Sequence, residues 1–168
     1  MHYRSLTPEE IRGNVFSMIG KDWMLITAGD VDACNTMTAS WGGMGILWGD
    51  PVAFAFVRPQ RYTFEFMERT HKFTLSFFGG EQREALALCG SRSGRDCDKI
   101  ALAGLTPVTT SAGYTGFREA TLILECETRY ADFLRPEAVL DPAVTEHYPT
   151  GDYHKMYIGK IVRALVKE

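Results

Sequence analysis

The sequence is poor in the residues that cross-link small folds or bind metals. Its 168 residues include four scattered cysteines, Cys34, Cys89, Cys97 and Cys126, with no C-x-x-C pair. Disulfide scaffolds are shorter and denser in cysteine, so we expect four reduced thiols with packing roles only. None of the four histidines stands near a cysteine at the spacing of zinc ligands, which argues against a structural metal site.

No charge of one sign and no long apolar run dominates the chain. A formal net charge of −3 and a pI near 5.8 lack the basic footprint of a nucleic-acid-binding protein. The apolar runs are far shorter than the roughly 20 residues of a membrane-spanning helix. Residues 1–16 contain no apolar core of a secretory signal. We therefore expect one cytoplasmic domain over residues 1–168, with neither nucleic acid nor membrane as a partner.

Hydrophobic periodicity predicts a mainly β chain with short helices. About five or six strands are expected, the clearest at 23–28, 51–57, 71–80, 119–134 and 154–168. Short helices are expected at 63–69, at 81–90 and after the polar loop 91–98. Because these helices are too short for regular parallel crossovers, the pattern favours an antiparallel barrel with inserted helices. The first strand is not followed by G-x-G-x-x-G, which argues against a Rossmann domain.

Several single residues allow more detailed predictions within these helices and strands. Phe64 and Met67 stand three apart and are expected on the buried side of their helix. Gly90 is the expected C-cap of the next helix. Gly159 interrupts the last strand and is a candidate β-bulge.

The segment "DACNTMTASWGGMGILWGDP", residues 32–51, is too rich in small and hydroxyl residues for an ordinary core strand. Its small residues would leave backbone amides open to a flat ligand; they are Ala39, Ser40, Gly42 and Gly43. Its hydroxyl groups could bind the polar edge of a planar heteroaromatic ring; they belong to Thr36, Thr38 and Ser40. Trp41 would then line the rim. The alternative is a glycine-rich strand connection with Trp41 packed in the core.

Two basic clusters each precede a helix. Arg58 and Arg61 flank a turn, and Thr63 stands where the helix begins. The second cluster lies in "SRSGRDCDK", residues 91–99. Arginines at a helix N-terminus suit an anionic group, and two such clusters suggest that one anion lies between them. The alternative is a set of solvated side chains with Thr63 as a helix cap.

His154 follows the turn "TGDY" and begins the last strand. Its imidazole titrates near neutral pH, so it could act in an active site. A lone histidine can equally be an ordinary surface or core residue.

Six motifs in order give the chain a resemblance to a known family. They are "NTMTASW", "PVAFAFVRPQRYT", "FTLSF", "CGSRSGRDCDK" with "AGLTPV", "LEC" and "GDYH" with "IGKI". Between about residues 23 and 166 the chain resembles the flavin reductase-like, FMN-binding split-barrel family, especially its flavoredoxin branch. The resemblance implies an antiparallel Greek-key split barrel, a homodimer, bound FMN, and transfer of hydride or electrons.

The resemblance also implies a set of site residues. The flavin ring and ribityl chain would lie along Asn35, Thr36, Met37, Thr38, Ala39, Ser40 and Trp41. The phosphate would be held by Arg58, Arg61, Thr63 and Lys99, helped by Ser93 and Arg95, and the pocket would be lined by Ser76 and Phe77. His154 would lie near the nicotinamide face, although the family's Gly-Asp-His turn is interrupted here by Tyr153.

Three functions remain open at this point. One is an NAD(P)H-dependent flavin reductase, and the second is a flavoredoxin that carries electrons on FMN between protein redox partners. The third is a protein that only binds a flavin or another cofactor. Hydride transfer needs no carboxylate pair or catalytic triad, and none is found in the sequence.

Overall fold

The computed structural model of the chain describes residues 3–168, and its main element is an eight-stranded antiparallel sheet. Its strands are β1 (Tyr3–Leu6), β2 (Met24–Asp30), β3 (Ala33–Ala39), β4 (Gly42–Leu47), β5 (Asp50–Val57), β6 (Lys72–Phe77), β9 (Leu122–Phe133) and β10 (Lys155–Lys167), while β7 (Pro107–Thr109) and β8 (Thr115–Phe117) form a separate hairpin. The strand order in the large sheet is β3-β2-β6-β9-β10-β5-β4, and β1 pairs with the second half of β10.

The sheet wraps around one apolar interior and remains open at one seam. Side chains from β2, β3, β5, β6, β9 and β10 share a single buried cluster, which requires a curved sheet. The two edge strands, β3 and β4, follow each other in the chain through Ser40 and Trp41, yet within the described residues they form no ladder. The prediction of an antiparallel split barrel is confirmed.

Successive side chains of β6 point alternately into the barrel interior and towards the outer layer. Phe73, Leu75 and Phe77 lie in the barrel core, as their spacing predicts. A second cluster outside the barrel, which includes Leu86 and Ile123, packs the helix α2 (Arg83–Ser91) against the sheet. This outer layer fixes α2 over β3, where the candidate site lies.

The helices are short and occupy the barrel's connections. They are α1 (Tyr62–Thr70), α2 (Arg83–Ser91), α3 (Lys99–Leu102), a π-helix (Ser17–Lys21) and 3-10 turns at Pro8–Glu10, Pro136–Ala138 and Pro142–His147. One prediction for the helices was incomplete, because Phe64 packs against the core but is not part of it, and the other was wrong. In α1, Phe66 joins Met67 in the core whereas Phe64 is only partly buried. α2 continues through Gly90, and Arg92 is its C-cap.

Gly159 marks a bulge in β10, as predicted. The register with β9 shifts between Ile158 and Gly159. A Cβ atom at Gly159 would lie 2.6 Å from the Phe73 ring and 2.9 Å from Cys126 Cβ. Only glycine therefore lets β10 pass this closely over the core.

The predicted strand count was too low, because the segment 32–51 is itself a pair of strands and the short strands β1, β7 and β8 were not predicted. Within the described residues there are ten strands, and only Val31 and Asp32 separate β2 from β3. Trp41 is 43% exposed, so it does not pack in the core. All four cysteines are free, as predicted, and no described helix is long and apolar enough to cross a bilayer.

Candidate functional site

A pocket of about 180 Å³ opens at the C-terminal end of β3; we call it the Trp41 pocket. Its lining comprises Met37, Thr38, Ala39, Ser40, Trp41, Phe56, Arg58, Arg61 and His154. The structure thus brings the predicted segment of β3 together with both arginines of the first cluster and with His154.

A second cavity, of about 550 Å³, lies beside the N-terminal part of β3; we call it the Arg95 cavity. Asn35, Tyr62, Gly94, Arg95 and Lys99 contribute to its wall. Since a strand rises about 3.3 Å per residue, the Asn35 and Met37 positions of the two cavities are only about 7 Å apart. The two cavities are therefore neighbours along one edge strand.

The two basic clusters meet at the C-terminal end of α2. Arg61 donates to the Cys89 and Gly90 carbonyl oxygens at 3.3 and 3.0 Å. Lys99 Nζ donates to the same Cys89 carbonyl at 3.1 Å and to the Arg92 carbonyl at 3.1 Å. The sequence suggested that the clusters share one anion, and the structure places their two inner members, Arg61 and Lys99, against one shared carbonyl. We call these two residues the basic pair.

The basic pair carries buried charge without a carboxylate partner. Lys99 is 3% exposed, and neither member forms an ion pair within the part of the chain that the structure describes. Burial and the neighbouring Arg61 lower the pKa of Lys99 to about 8. Burial and Arg58 likewise lower the pKa of Arg61. Helix-end carbonyls compensate only part of the charge of the buried Lys99 and the partly buried Arg61, so the arrangement favours an added anion.

Asn35 joins three elements between the two cavities. Its Nδ2 atom donates to Thr63 Oγ1 at 2.7 Å, and Thr63 is fully buried. A Cβ atom on Gly94 would lie 2.0 Å from Asn35 Oδ1, so only glycine permits this contact between the loop and β3. Thr63 is thus a structural partner of Asn35, and the prediction that it holds phosphate is not supported.

The hydroxyl groups of β3 are mostly engaged inside the protein. Thr36 Oγ1 lies 2.8 Å from Thr27 Oγ1, and the Thr38 hydroxyl donates to the Leu86 carbonyl. The predicted row of free hydroxyls was therefore wrong for Thr36 and Thr38, because α2 and β2 use them. Of the three hydroxyl residues Thr36, Thr38 and Ser40, only Ser40 has a side chain with no hydrogen-bond partner in the described residues. β3 nevertheless pairs with β2 on one side only, which leaves backbone donors and acceptors on its other edge.

Arg58 is bound by the loop that precedes β10. Its guanidinium forms an ion pair with Asp152 and donates to the His147 carbonyl at 2.9 Å. Asp152 also accepts hydrogen bonds from Gln60 and Thr150, and these bonds, with Arg58 foremost, hold the pKa of Asp152 far below its usual range. Arg58 is neutralised in this way, so Arg61 is the stronger candidate for a phosphate ligand.

His154 is 8% exposed and lies between Trp41 and Tyr148. Its Nδ1 atom is 2.8 Å from the Tyr148 hydroxyl, and its ring centroid is 5.1 Å from that of Trp41. Burial, followed by Arg58, lowers the pKa of His154 to about 4. The imidazole is consequently neutral at pH 7.

Arg95 and Ser93 shape the loop at the mouth of the Arg95 cavity. The Arg95 guanidinium lies 4.7 Å from the centre of the Tyr62 ring, donates to the Gln60 carbonyl and pairs with Glu65. Ser93 Oγ accepts from the Arg95 backbone amide at 3.2 Å. Ser93 therefore stabilises the loop, and Arg95 covers one wall of the cavity.

Ser76 and Phe77 are not brought to this site. They lie in β6, which β2 separates from β3 in the sheet. The Ser76 hydroxyl is buried and has no partner among residues 3–168, and Phe77 is in the barrel core and lines a different cavity of about 750 Å³ near the N-terminal segment. Both predictions fail because β6 is an inner strand.

Sequence reasoning missed the partners of the predicted residues. Tyr148 and Asp152 lie in the loop before β10 and contact His154 and Arg58 respectively. The only sequence signal for these contacts was the negative charge of Asp152 in the Gly-Asp turn, which could have indicated a partner for an arginine. Nothing in the spacing indicated that Tyr148 reaches His154.

The fold and the site define a β-barrel protein with a basic pair, its lysine buried, beside a small aromatic pocket. Residues 16–168 match the family described as the flavin reductase like domain. The chain therefore belongs to that family, which confirms the resemblance drawn from its motifs. No curated protein sequence matches the chain.

Several solved structures share the fold. An FMN-binding domain of a flavin reductase-like enzyme from Shewanella baltica is 15% identical, with a TM-score of 0.70 over 98% of this chain and 77% of that one. Flavoredoxin from Methanosarcina acetivorans is 22% identical, with a TM-score of 0.67 over 95% and 75%. The NADH:FAD oxidoreductase SgcE6 from Streptomyces globisporus is 16% identical, with a TM-score of 0.63 over 86% and 75%.

Proposed function

We propose that this protein binds FMN and acts as an NAD(P)H-dependent flavin oxidoreductase. The observation that carries the proposal is the basic pair, a buried Lys99 and a partly buried Arg61 without a carboxylate partner in the described residues, next to a pocket on the edge strand β3. FMN combines a planar ring with a dianionic phosphate. Related structures include an FMN-binding domain and a flavoredoxin, which supports the same ligand.

In this proposal the phosphate binds at the basic pair. Arg61 and Lys99 would exchange part of their bonds to the α2 carbonyls for charge-assisted bonds to phosphate oxygens. Arg95, at the wall of the adjoining cavity, would lie close enough to contribute charge. A phosphate would also restore the pKa of Lys99 towards its ordinary value, because it stabilises the charged form.

The ring would occupy the Trp41 pocket along the free edge of β3. The exposed backbone amides there and the Ser40 hydroxyl can donate to the ring's carbonyl oxygens. The same donors would stabilise negative charge that develops on reduction. The bound flavin would supply hydride acceptance and electron transfer. Trp41 and neutral His154 would line the face at which a nicotinamide approaches.

The runner-up is a flavoredoxin-type carrier that exchanges electrons with a protein redox partner. Related structures include both flavoredoxins and an NADH:FAD oxidoreductase, so the fold alone does not separate the two functions. The identity of the electron donor separates the two functions. In the purified protein supplied with FMN, we expect steady-state oxidation of NADH or NADPH, followed at the nicotinamide absorbance.

Three outcomes of this experiment have distinct meanings. Turnover with either nucleotide supports the oxidoreductase. A yellow protein that neither nucleotide reduces favours the electron carrier. A colourless protein that binds neither FMN nor riboflavin contradicts both functions.

We also propose that the protein is a cytoplasmic homodimer. Free, reduced thiols suit that compartment. Support for a second copy comes from exposed apolar side chains on and next to the edge strand β4: Ile46 is 69% and Trp48 61% exposed. Large apolar side chains grouped at an unpaired sheet edge are typical of an interaction surface.

A further inference from the structure

A buried tyrosine contacts the histidine of the Trp41 pocket. The Tyr148 hydroxyl and His154 Nδ1 are 2.8 Å apart, and the two side chains are 7% and 8% exposed. The hydroxyl makes no other hydrogen bond among the described residues. A buried phenol proton needs an acceptor, so Tyr148 is the donor and Nδ1 the acceptor.

This direction of the hydrogen bond fixes the tautomer of His154. The imidazole is neutral at pH 7 and carries one proton, and an accepting Nδ1 places that proton on Nε2. Nε2 has no partner within the described chain, while His154 lines the Trp41 pocket. The pocket therefore receives an N–H donor.

We propose that Tyr148 is a positioning residue: it holds His154 as an Nε2–H donor that binds a carbonyl oxygen of the second substrate in the Trp41 pocket. The proposal rests on the proposed function, since it names the group through which the flavin's reaction partner is recognised. A protonated imidazole or the opposite tautomer would present a different charge or an acceptor, and would select a different ligand.

Tyr148 is itself rigidly held. Its ring stacks on Tyr153 with centroids 4.2 Å apart and an interplanar angle of 18°, and Arg58 lies 5.2 Å from its centre. Arg58 is in turn anchored by Asp152. Tyr153, the residue that interrupts the family's Gly-Asp-His turn, thus supports the side chain that orients His154.

The surroundings of His154 contain both signs of charge. Arg58 and Asp152 are the charged groups that act on it, and they oppose each other. Tyr148 and, across Trp41, His147 are the titratable neighbours. Arg58 and Asp152 form an ion pair with each other, so their effects on His154 partly cancel. The hydrogen bond from the Tyr148 hydroxyl is therefore the contact that orients the imidazole.

The tautomer can be measured without flavin or substrate. Two-bond ¹⁵N–¹H NMR of the apoprotein should show His154 as a single Nε2–H tautomer, with its signals assigned by their loss in His154→Gln. Tyr148→Phe should give a mixed or shifted pattern. Tyr153→Phe, which keeps the ring stack and loses a hydroxyl without a bond in the described residues, should leave the pattern unchanged. An Nδ1–H pattern in the wild type, or identical patterns in wild type and Tyr148→Phe, would overturn the proposal.

Kinetics with NADH test the consequence for recognition. Tyr148→Phe should raise the KM for NADH about fivefold, the effect of one neutral hydrogen bond, with FMN affinity unchanged. His154→Gln retains an amide donor, so its KM for NADH should stay close to the wild-type value. His154→Phe has no donor, so its KM for NADH should rise. Equal KM values in the Gln and Phe variants would contradict the donor role. If the wild type oxidises neither NADH nor NADPH, the proposed function fails, and the NMR result still decides the role of Tyr148.

Discussion

At the scale of single residues, the charge of Lys99 lies in an unfavourable environment. It is buried beside Arg61, and its bonds go to backbone carbonyls alone. A charge held in this way raises the free energy of the apoprotein until an anion neutralises it. The consequences can be measured as a function of pH.

FMN affinity should fall as the pH rises above about 8. The pKa of Lys99 in the free protein is lowered to about 8, and bound phosphate favours its charged form, so binding takes up a proton above that pH. Titrations of FMN between pH 7 and 10 measure this slope. Lys99→Arg, which stays charged, should flatten it, and an equal slope in wild type and Lys99→Arg would contradict this assignment.

The lowered pKa of Lys99 also determines how the free energy of unfolding of the apoprotein changes with pH. Between about pH 8 and 10.5 the unfolded chain binds a proton at Lys99 that the folded apoprotein has lost. The free energy of unfolding contributed by this group therefore rises with pH across that window. Urea unfolding of wild type and Lys99→Met at pH 8 and 10 isolates the contribution as the difference between the two.

Cys34 lines the Arg95 cavity, and we expect it to have no catalytic role. Burial raises the pKa of its thiol to about 11, so the reactive thiolate is scarce at pH 7. Cys34→Ser should leave the rate of flavin reduction unchanged. A folded Cys34→Ser variant that no longer reduces flavin would show that the thiol takes part.

At the scale of elements, the edge strands β3 and β4 explain the unusual composition of residues 32–51. A Cβ atom on Gly42 would lie 2.9 Å from the Phe54 carbonyl and from Met24 Cε, whereas one on Gly45 would meet nothing within 4 Å. Gly42 is thus required for β4 to lie against β5.

Gly42→Ala should destabilise the protein by about 1–3 kcal/mol, since a rigid backbone atom blocks the new methyl group. Gly45→Ala in the same strand is the matched control and should be nearly neutral. Thermal or urea unfolding compares the two. Equal losses of stability would show that strand propensity, and not the close contact, decides the effect.

The sequence predicted the regular strands well and the site in part. Alternation in β6 and β9 and the glycine at 159 identified their elements, because burial on one face imposes a period of two. β3 and β4 were missed since small polar residues give no such period. Thr36, Thr38 and the two residues of β6 were misassigned because hydrogen-bond partners and strand order are tertiary properties.

At the scale of the whole molecule, the exposed side chains on and next to β4 should be covered by a second copy. Ile46→Lys should convert a dimer to a monomer in sedimentation velocity, because it places a charge in the apolar contact. Leu140→Lys, at a residue that is 96% exposed in the loop before β10, is the control and should not alter the mass. A monomeric wild type would remove the dimer from the account.

The central claim is that the basic pair receives the phosphate of a flavin. Calorimetric titration of wild type with FMN and with riboflavin, which lacks the phosphate, tests it most directly. Two charge-assisted contacts predict that FMN binds at least about 100-fold more tightly. Lys99→Met should lose about tenfold or more of that preference while Arg92→Met, in the same segment, keeps it. Equal affinities of the wild type for FMN and riboflavin would contradict the account.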